Sequence, residues 1–215
     1  MINVKDDELV IEQKGIYSVE KFLIARRLMY WQVYLHKTGL VAENTLVNVL
    51  KRAKELAGEG VQLFASSALK HFLEAPISKA NFTDETLEIF SRLDDYDVLS
   101  AIKEWVHHED KVLSLLATMI VDRKLLRIEI QQEAFQEVYI AKRREKAMRK
   151  FHISEKDVKY FVFHQKISNQ AYTLKSPIYI LSKNGNLKDI AKASDQLNLQ
   201  ALTIPVVKHF ICYPK

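Results

Sequence analysis

The sequence predicts a mainly α protein: a multi-helix body with an N-terminal β-hairpin, followed by a small α+β lobe. Three observations predict it. Gly and Pro are scarce, at 5 and 4 in 215 residues, which favours long helices and few tight turns. Between Tyr17 and Lys150 apolar residues recur mostly at helical spacing. From about His152 the texture changes to short β-branched and aromatic runs, as strands require. The expected division is a helical part, residues 1–150, and an α+β lobe, residues 151–215.

Ile2 to Val4 and Glu8 to Glu12 read as two strands joined by a turn at Lys5-Asp6-Asp7, a ribbon too small to be stable without a partner. Tyr17 to Lys37 reads as one amphipathic helix, with Ser18 as its cap and Glu20 favoured by the helix dipole. Val19, Phe22, Leu23, Leu28, Met29 and Val33 are its expected core contacts. Helical spacing resumes after Gly39 and closes at Gly58 and Gly60. A shorter helix is expected over Val61 to Leu73, and another begins at the cap Thr83. Asp94 caps the next, with Asp95 and Asp97 in its first turn. This reading outweighs a metal site built on the three carboxylates.

His107-His108-Glu109-Asp110 invites a metal reading too, but adjacent helical residues point about 100° apart, so a polar link between helices is the better expectation. Lys111 to Leu126 continues the helical body, Arg127 to Ile130 is a short strand, and Ala134 to Lys150 is a charged helix. Strands are then expected at Tyr160 to Phe163, Pro177 to Leu181 and Val206 to Cys212. Asn184-Gly185-Asn186 is a turn, and one or two helical turns fall within Leu187 to Leu197.

Composition is that of an ordinary globular protein, 48% hydrophobic and 27% charged, with net charge +5. The mild positive charge suits a phosphate-bearing ligand without demanding nucleic acid. Cys212 is the single cysteine, so an internal disulfide and a cysteine-based zinc site are excluded. With no signal peptide and no apolar run of membrane-spanning length, a cytoplasmic protein without membrane partners is expected.

Arg26, Tyr30, Tyr34 and Lys37 are spaced four, four and three apart, so on a regular helix they fall within an arc of roughly 80°. Such a stripe can bind phosphate through its cations and stack its rings on a sugar or base. It can equally be a cationic, Tyr-rich face packed on another domain, and both readings stay open on the residues alone. No glycine-rich phosphate loop, His-Glu-x-x-His or nucleophile elbow is present. The residues describe a binding surface that awaits a catalytic partner.

The run ARRLMYWQVYLHKT, with the preceding EQKGIY, LDDYDVLSAIKEW, the helix ending VDRKLLR and the closing ICYPK, resembles the HD-domain deoxynucleoside triphosphohydrolases. These include bacterial dGTPase-like proteins and the animal enzyme that joins a sterile alpha motif to an HD domain. The resemblance covers roughly residues 8–130 and more weakly the tail. It implies hydrolysis of a dNTP to deoxynucleoside and triphosphate by an oligomeric, divalent-metal-dependent parent protein.

The metal core of that family rests on a His-Asp dipeptide, which is absent here. The resemblance therefore implies the C-terminal portion of a longer protein, holding no metal itself and inactive alone. By the same resemblance the substrate-contacting residues are Arg26 on the triphosphate, Tyr34 near the sugar or base, and Tyr30 where the animal enzyme has His. Leu35 stands where that enzyme has Gln. His36, Lys37 and Arg123 correspond to residues that reach a regulatory nucleotide at a subunit interface. The alternative is a non-catalytic interaction module, engaging nucleic acid or a protein through its basic helices, with nucleic acid the less favoured partner.

Overall fold

Two aspartates turn the chain first. Asp6 and Asp7 both adopt positive φ, 51° and 62°, the backbone that a tight hairpin demands and that Asp tolerates. They join β1 (Ile2–Lys5) to β2 (Glu8–Glu12), as the sequence predicts. In the computed structural model, which describes residues 1–195 and 199–215, a 3₁₀ turn over Gln13–Gly15 leads to α1 (Ile16–Met29). A Cβ on Gly15 would meet Ile11 Cγ2 at 2.8 Å, so only glycine fits this close approach.

A π-helical turn, Tyr30–Tyr34, follows without a break. Then come α2 (Lys37–Gly58), α3 (Ser67–Glu74), α4 (Asp84–Ser91), α5 (Asp95–Trp105) and α6 (Lys111–Val121). The chain continues through β3 (Arg127–Gln131), α7 (Glu137–Phe151), β4 (Phe163–Asn169), β5 (Tyr179–Leu181) and β6 (Leu187–Asp189). It closes with α8 (Ile190–Ala193), α9 (Gln200–Thr203) and β7 (Val206–Tyr213).

This is a mixed α/β fold, about 51% helical with two sheets, and the expectation of a mainly α body with a small β-bearing lobe is overturned. The reason lies in the pairing. The N-terminal hairpin does not decorate a helical body; β2 pairs in parallel with β5, Val10 opposite Tyr179 and Ile11 opposite Ile180. The result is a four-stranded sheet ordered β1-β2-β5-β6. A second sheet, ordered β3-β7-β4, joins a mid-chain strand to the last one. Strand pairing over such separations leaves no local trace in the sequence.

The chain divides into two compact units: residues 1–36, 130–134 and 165–210, and residues 37–129, 135–164 and 211–215. In the first, Ile16 and Leu23 of α1 pack with Tyr172, Ile180, Ile190 and Leu199. Burying each large aliphatic side chain contributes roughly 1.5–3 kcal/mol. Tyr172 donates from its hydroxyl to Asp189 and accepts from the Ile178 amide at 3.0 Å. Asp189 also caps α8, its Oδ1 accepting from Ala191 N at 2.8 Å.

The β5–β6 hairpin turns at Gly185, φ 82°, where the sequence places a turn. Within Leu187 to Leu197, where one or two helical turns are expected, the structure has the end strand β6 and then the single-turn helix α8, and 196–198 lie outside the described residues.

The second unit is helical at its centre. Leu40, Val41, Val49, Ala53 and Leu56 line the buried face of α2, which packs on α3 and α6. Thr83 and Asp94 cap α4 and α5, as the sequence predicts, and Asp94 also forms a reciprocal capping box with Asp97. Arg52 holds Asp110 with two bonds, 2.6 and 3.1 Å. Desolvation pushes the Asp110 carboxyl up, but the Arg52 guanidinium and the Leu113 amide outweigh it and hold it below the usual carboxylate range.

Local expectations fail in several places. Residues 61–66 are not helical and α3 begins at Ser67. Tyr160 ends a 3₁₀ turn, and β4 begins only at Phe163. Ser18 makes no cap, because α1 starts at Ile16 with Gly15 before it. Glu20, expected in the first turn for its charge, is instead 2% exposed and accepts from the Ser194 hydroxyl.

Candidate functional site

The Arg26–Tyr30–Tyr34 stripe sits where an α-helix changes pitch. Arg26 lies in the last turn of α1, and Tyr30 and Tyr34 begin and end the π turn, whose defining bond runs from Leu35 N to Tyr30 O at 2.7 Å. Inserting such a turn shifts register by one residue, a distortion frequent at functional sites. It also corrects the single helix expected over Tyr17 to Lys37. The three side chains nonetheless form one run. The Arg26 guanidinium carbon lies 5.6 Å from the Tyr30 ring centroid, within cation–π range. The Tyr30 and Tyr34 rings are 5.2 Å apart and tilted by 53°, a favourable aromatic geometry.

Arg26 and Tyr34 are exposed and Tyr30 is half-buried. No carboxylate pairs with Arg26 among the described residues; its guanidinium makes a long bond, Nη1 donating to the Ala171 carbonyl at 3.4 Å. A charge held only by a neutral acceptor and a ring face remains available to an anion. Beside the stripe the surface is strongly apolar. Phe22, Leu28, Met29 and Val33, expected in the core, are 48–61% exposed, while Leu23 alone of the set is fully buried. One relation escapes sequence reasoning. Lys208 of β7 places its Nζ 4.1 Å from the Trp31 ring centroid. No spacing rule links residues so far apart in the chain.

His36 and Lys37 are exposed at the join between the π turn and α2, with the His36 amide donating to Val33 O at 3.3 Å. Arg123 belongs to the second unit. It follows α6 in the left-handed conformation, φ 56°, with its side chain exposed. The histidine pair 107–108 makes a local bond only, His108 Nδ1 accepting from Asp110 N at 2.9 Å. No group of three or more His, Cys, Asp or Glu side chains among the described residues could hold a metal ion. The residues here therefore do not fit the divalent metal that the resemblance implies for the parent protein. No helix among the described residues is long and apolar enough to cross a membrane.

The basic run of α7 is partly engaged. Arg143 lies over the Tyr213 and Tyr139 rings at 4.0 and 4.7 Å and faces Glu129 at 3.6 Å. Arg149 pairs with Glu145, and Lys150 donates to the Lys215 main-chain oxygen. Half of the six cations between Lys142 and Lys150 thus serve local contacts, which weakens the case for a polyanion-binding helix.

Residues 1–67, which include the whole stripe, match the family model of the HD associated region. The structure is similar to a phosphohydrolase from Bacteroides thetaiotaomicron, with TM-score 0.92 and 44% identity, covering 100% of this chain and 54% of that one. It also shares its fold with a hypothetical protein from Aquifex aeolicus, at TM-score 0.55 and 23% identity, covering 99% of this chain and 46% of that one. Among curated proteins, the uncharacterized protein YwfO of Bacillus subtilis (strain 168) is 28% identical over 199 residues, 88% of this chain and 43% of the relative. The chain thus spans about half the length of the relatives it matches. These likenesses support an HD-related family.

Proposed function

We propose that the chain is the HD-associated portion of an HD-type phosphohydrolase that cleaves deoxynucleoside triphosphates to deoxynucleoside and triphosphate. The observation that carries this reading is the contiguous Arg26–Tyr30–Tyr34 stripe, with Arg26 and Tyr34 exposed and no carboxylate on Arg26 among the described residues, on the segment matched to the HD associated region. The likeness to a phosphohydrolase supports the reaction class. In this reading Arg26 holds triphosphate oxygens as a planar fork. Tyr34, with Tyr30 behind it, offers a ring face to the sugar or base.

Metal chemistry belongs to the part of the longer relatives that this chain does not span, and that part covers the apolar surface of Phe22, Leu28, Met29 and Val33. The working protein is a homo-oligomer. The reaction is tested on the protein encoded by the full reading frame, incubated with each dNTP and a divalent ion and resolved by anion exchange. The expected products are deoxynucleoside and intact triphosphate. Stepwise release of inorganic phosphate, or no turnover of any dNTP, would overturn the reading.

A further inference from the structure

The π turn at Tyr30–Tyr34 carries both rings of the stripe, yet none of its residues is fully buried. Core packing alone therefore does not hold the turn in a form much rarer than the α-helix. Among the described residues, one ring or hydrogen-bond contact ties its side chains to a distant part of the chain: Lys208 Nζ lies 4.1 Å from the Trp31 ring centroid, well inside cation–π range. Both side chains are half-buried, where less water competes for the ammonium and the attraction exceeds that at an open surface.

Lys208 has a firm mount. It stands in β7, the central strand of the β3-β7-β4 sheet, two residues before the buried Phe210. Trp31 follows Tyr30 directly, so an anchor on its ring restrains the turn that sets the 5.2 Å spacing of the Tyr30 and Tyr34 rings. Arg26, one turn earlier, is tied in a like way, its Nη1 donating to the carbonyl of Ala171, two residues past the end of β4. All of these residues belong to the first unit.

We propose that Lys208 is a positioning residue, its ammonium on the Trp31 indole holding the π turn in the form that presents Tyr30 and Tyr34 to a nucleotide, a role that rests on reading the stripe as the substrate surface. Lys208 acts through Trp31 and does not itself touch the substrate. Without the contact the turn samples other forms, and only the fraction with both rings in place binds. Apparent affinity falls by that fraction, while saturating substrate draws the turn back to the competent form. The signature is a raised KM with kcat nearly unchanged.

Two readouts test this role. In amide hydrogen exchange of the protein, the Leu35 amide, which closes the turn onto Tyr30 O, should exchange about fivefold faster in Lys208→Ala, with the amides of α6 unchanged. Lys208→Arg should exchange at the wild-type rate, because a guanidinium also seats on an indole face. In steady-state kinetics of the full-reading-frame protein on dNTP, Lys208→Ala should raise KM about fivefold with kcat within about twofold, and Lys208→Arg should restore KM. Trp31→Leu removes the ring instead of the charge and should match Lys208→Ala. The proposal fails if Leu35 exchange or KM is unchanged in Lys208→Ala, if kcat falls as far as kcat/KM, or if Lys208→Arg behaves as the alanine variant does. Arg26→Ala separates the two readings. Hydrolysis weakened by Arg26→Ala and untouched by Lys208→Ala removes Lys208 alone; hydrolysis untouched by Arg26→Ala removes the stripe from the substrate and this role with it.

Discussion

The guanidinium of Arg26 lies against the face of Tyr30, its carbon 5.6 Å from the ring centroid, while Nη1 reaches the Ala171 carbonyl at 3.4 Å. The ring and the carbonyl orient the charge without neutralising it. That is the state a phosphate-binding arginine needs before its ligand arrives, because an ion pair would first have to be broken.

Stability in the second unit depends on the Arg52–Asp110 pair. Both side chains are largely buried, 12% and 17% exposed. Replacing Arg52 by Met strands the carboxylate and should cost about 2 kcal/mol at pH 7, read from urea unfolding. The pH dependence follows from the lowered carboxyl of Asp110. Its contribution is full above the unfolded value near 4 and is lost as pH falls through the folded one. Wild-type stability should therefore drop as pH falls below about 4, and drop less in Arg52→Met. Equal losses in the two proteins would remove Asp110 from the explanation.

In the first unit the Tyr172 hydroxyl is a hub, donating to Asp189 and accepting from the Ile178 amide. Burial, with the Asp189 bond, pushes its phenol up to about 12. Tyr172→Phe leaves both partners unsatisfied and should cost about 2 kcal/mol, a fall of roughly 4–8 °C in Tm for a chain of this length. Tyr17→Phe is the control. Its hydroxyl meets Asp195 at 3.5 Å on the surface, and its loss should leave Tm within about 1 °C.

Cys212 is fully buried in β7, and burial pushes its thiol up to about 12. At pH 8 the native protein should react with a thiol reagent at least about a thousandfold more slowly than free cysteine, because the thiolate is the nucleophile. Full reactivity should return in denaturant. Fast labelling of the folded protein would show that β7 opens readily.

What could be read from the sequence was local. Thr83 and Asp94 were legible as caps because a cap is decided within four residues. The Asp6-Asp7 turn and the Gly185 turn were legible for the same reason. The stripe was visible as a spacing, and the structure brings Arg26, Tyr30 and Tyr34 together despite the π turn that no residue pattern announced. The parallel pairing of β2 with β5 was invisible, since Val10 and Tyr179 meet only through the fold; missing it produced the mainly α expectation. Phe22, Leu28, Met29 and Val33 read as core because periodicity reports that a face is apolar, not what covers it.

The most direct measurement is kcat/KM for dNTP hydrolysis by the protein of the full reading frame, compared between wild type, Arg26→Ala and Arg26→Lys. Lys142→Ala serves as a control outside the stripe, and an unchanged Tm confirms folding. Loss of charge-assisted bonds to phosphate should lower kcat/KM on the order of 30-fold or more in Arg26→Ala, with partial recovery in Arg26→Lys and no change in Lys142→Ala. An Arg26→Ala protein that hydrolyses dNTPs within about twofold of the wild type would contradict the assignment of this stripe to the substrate.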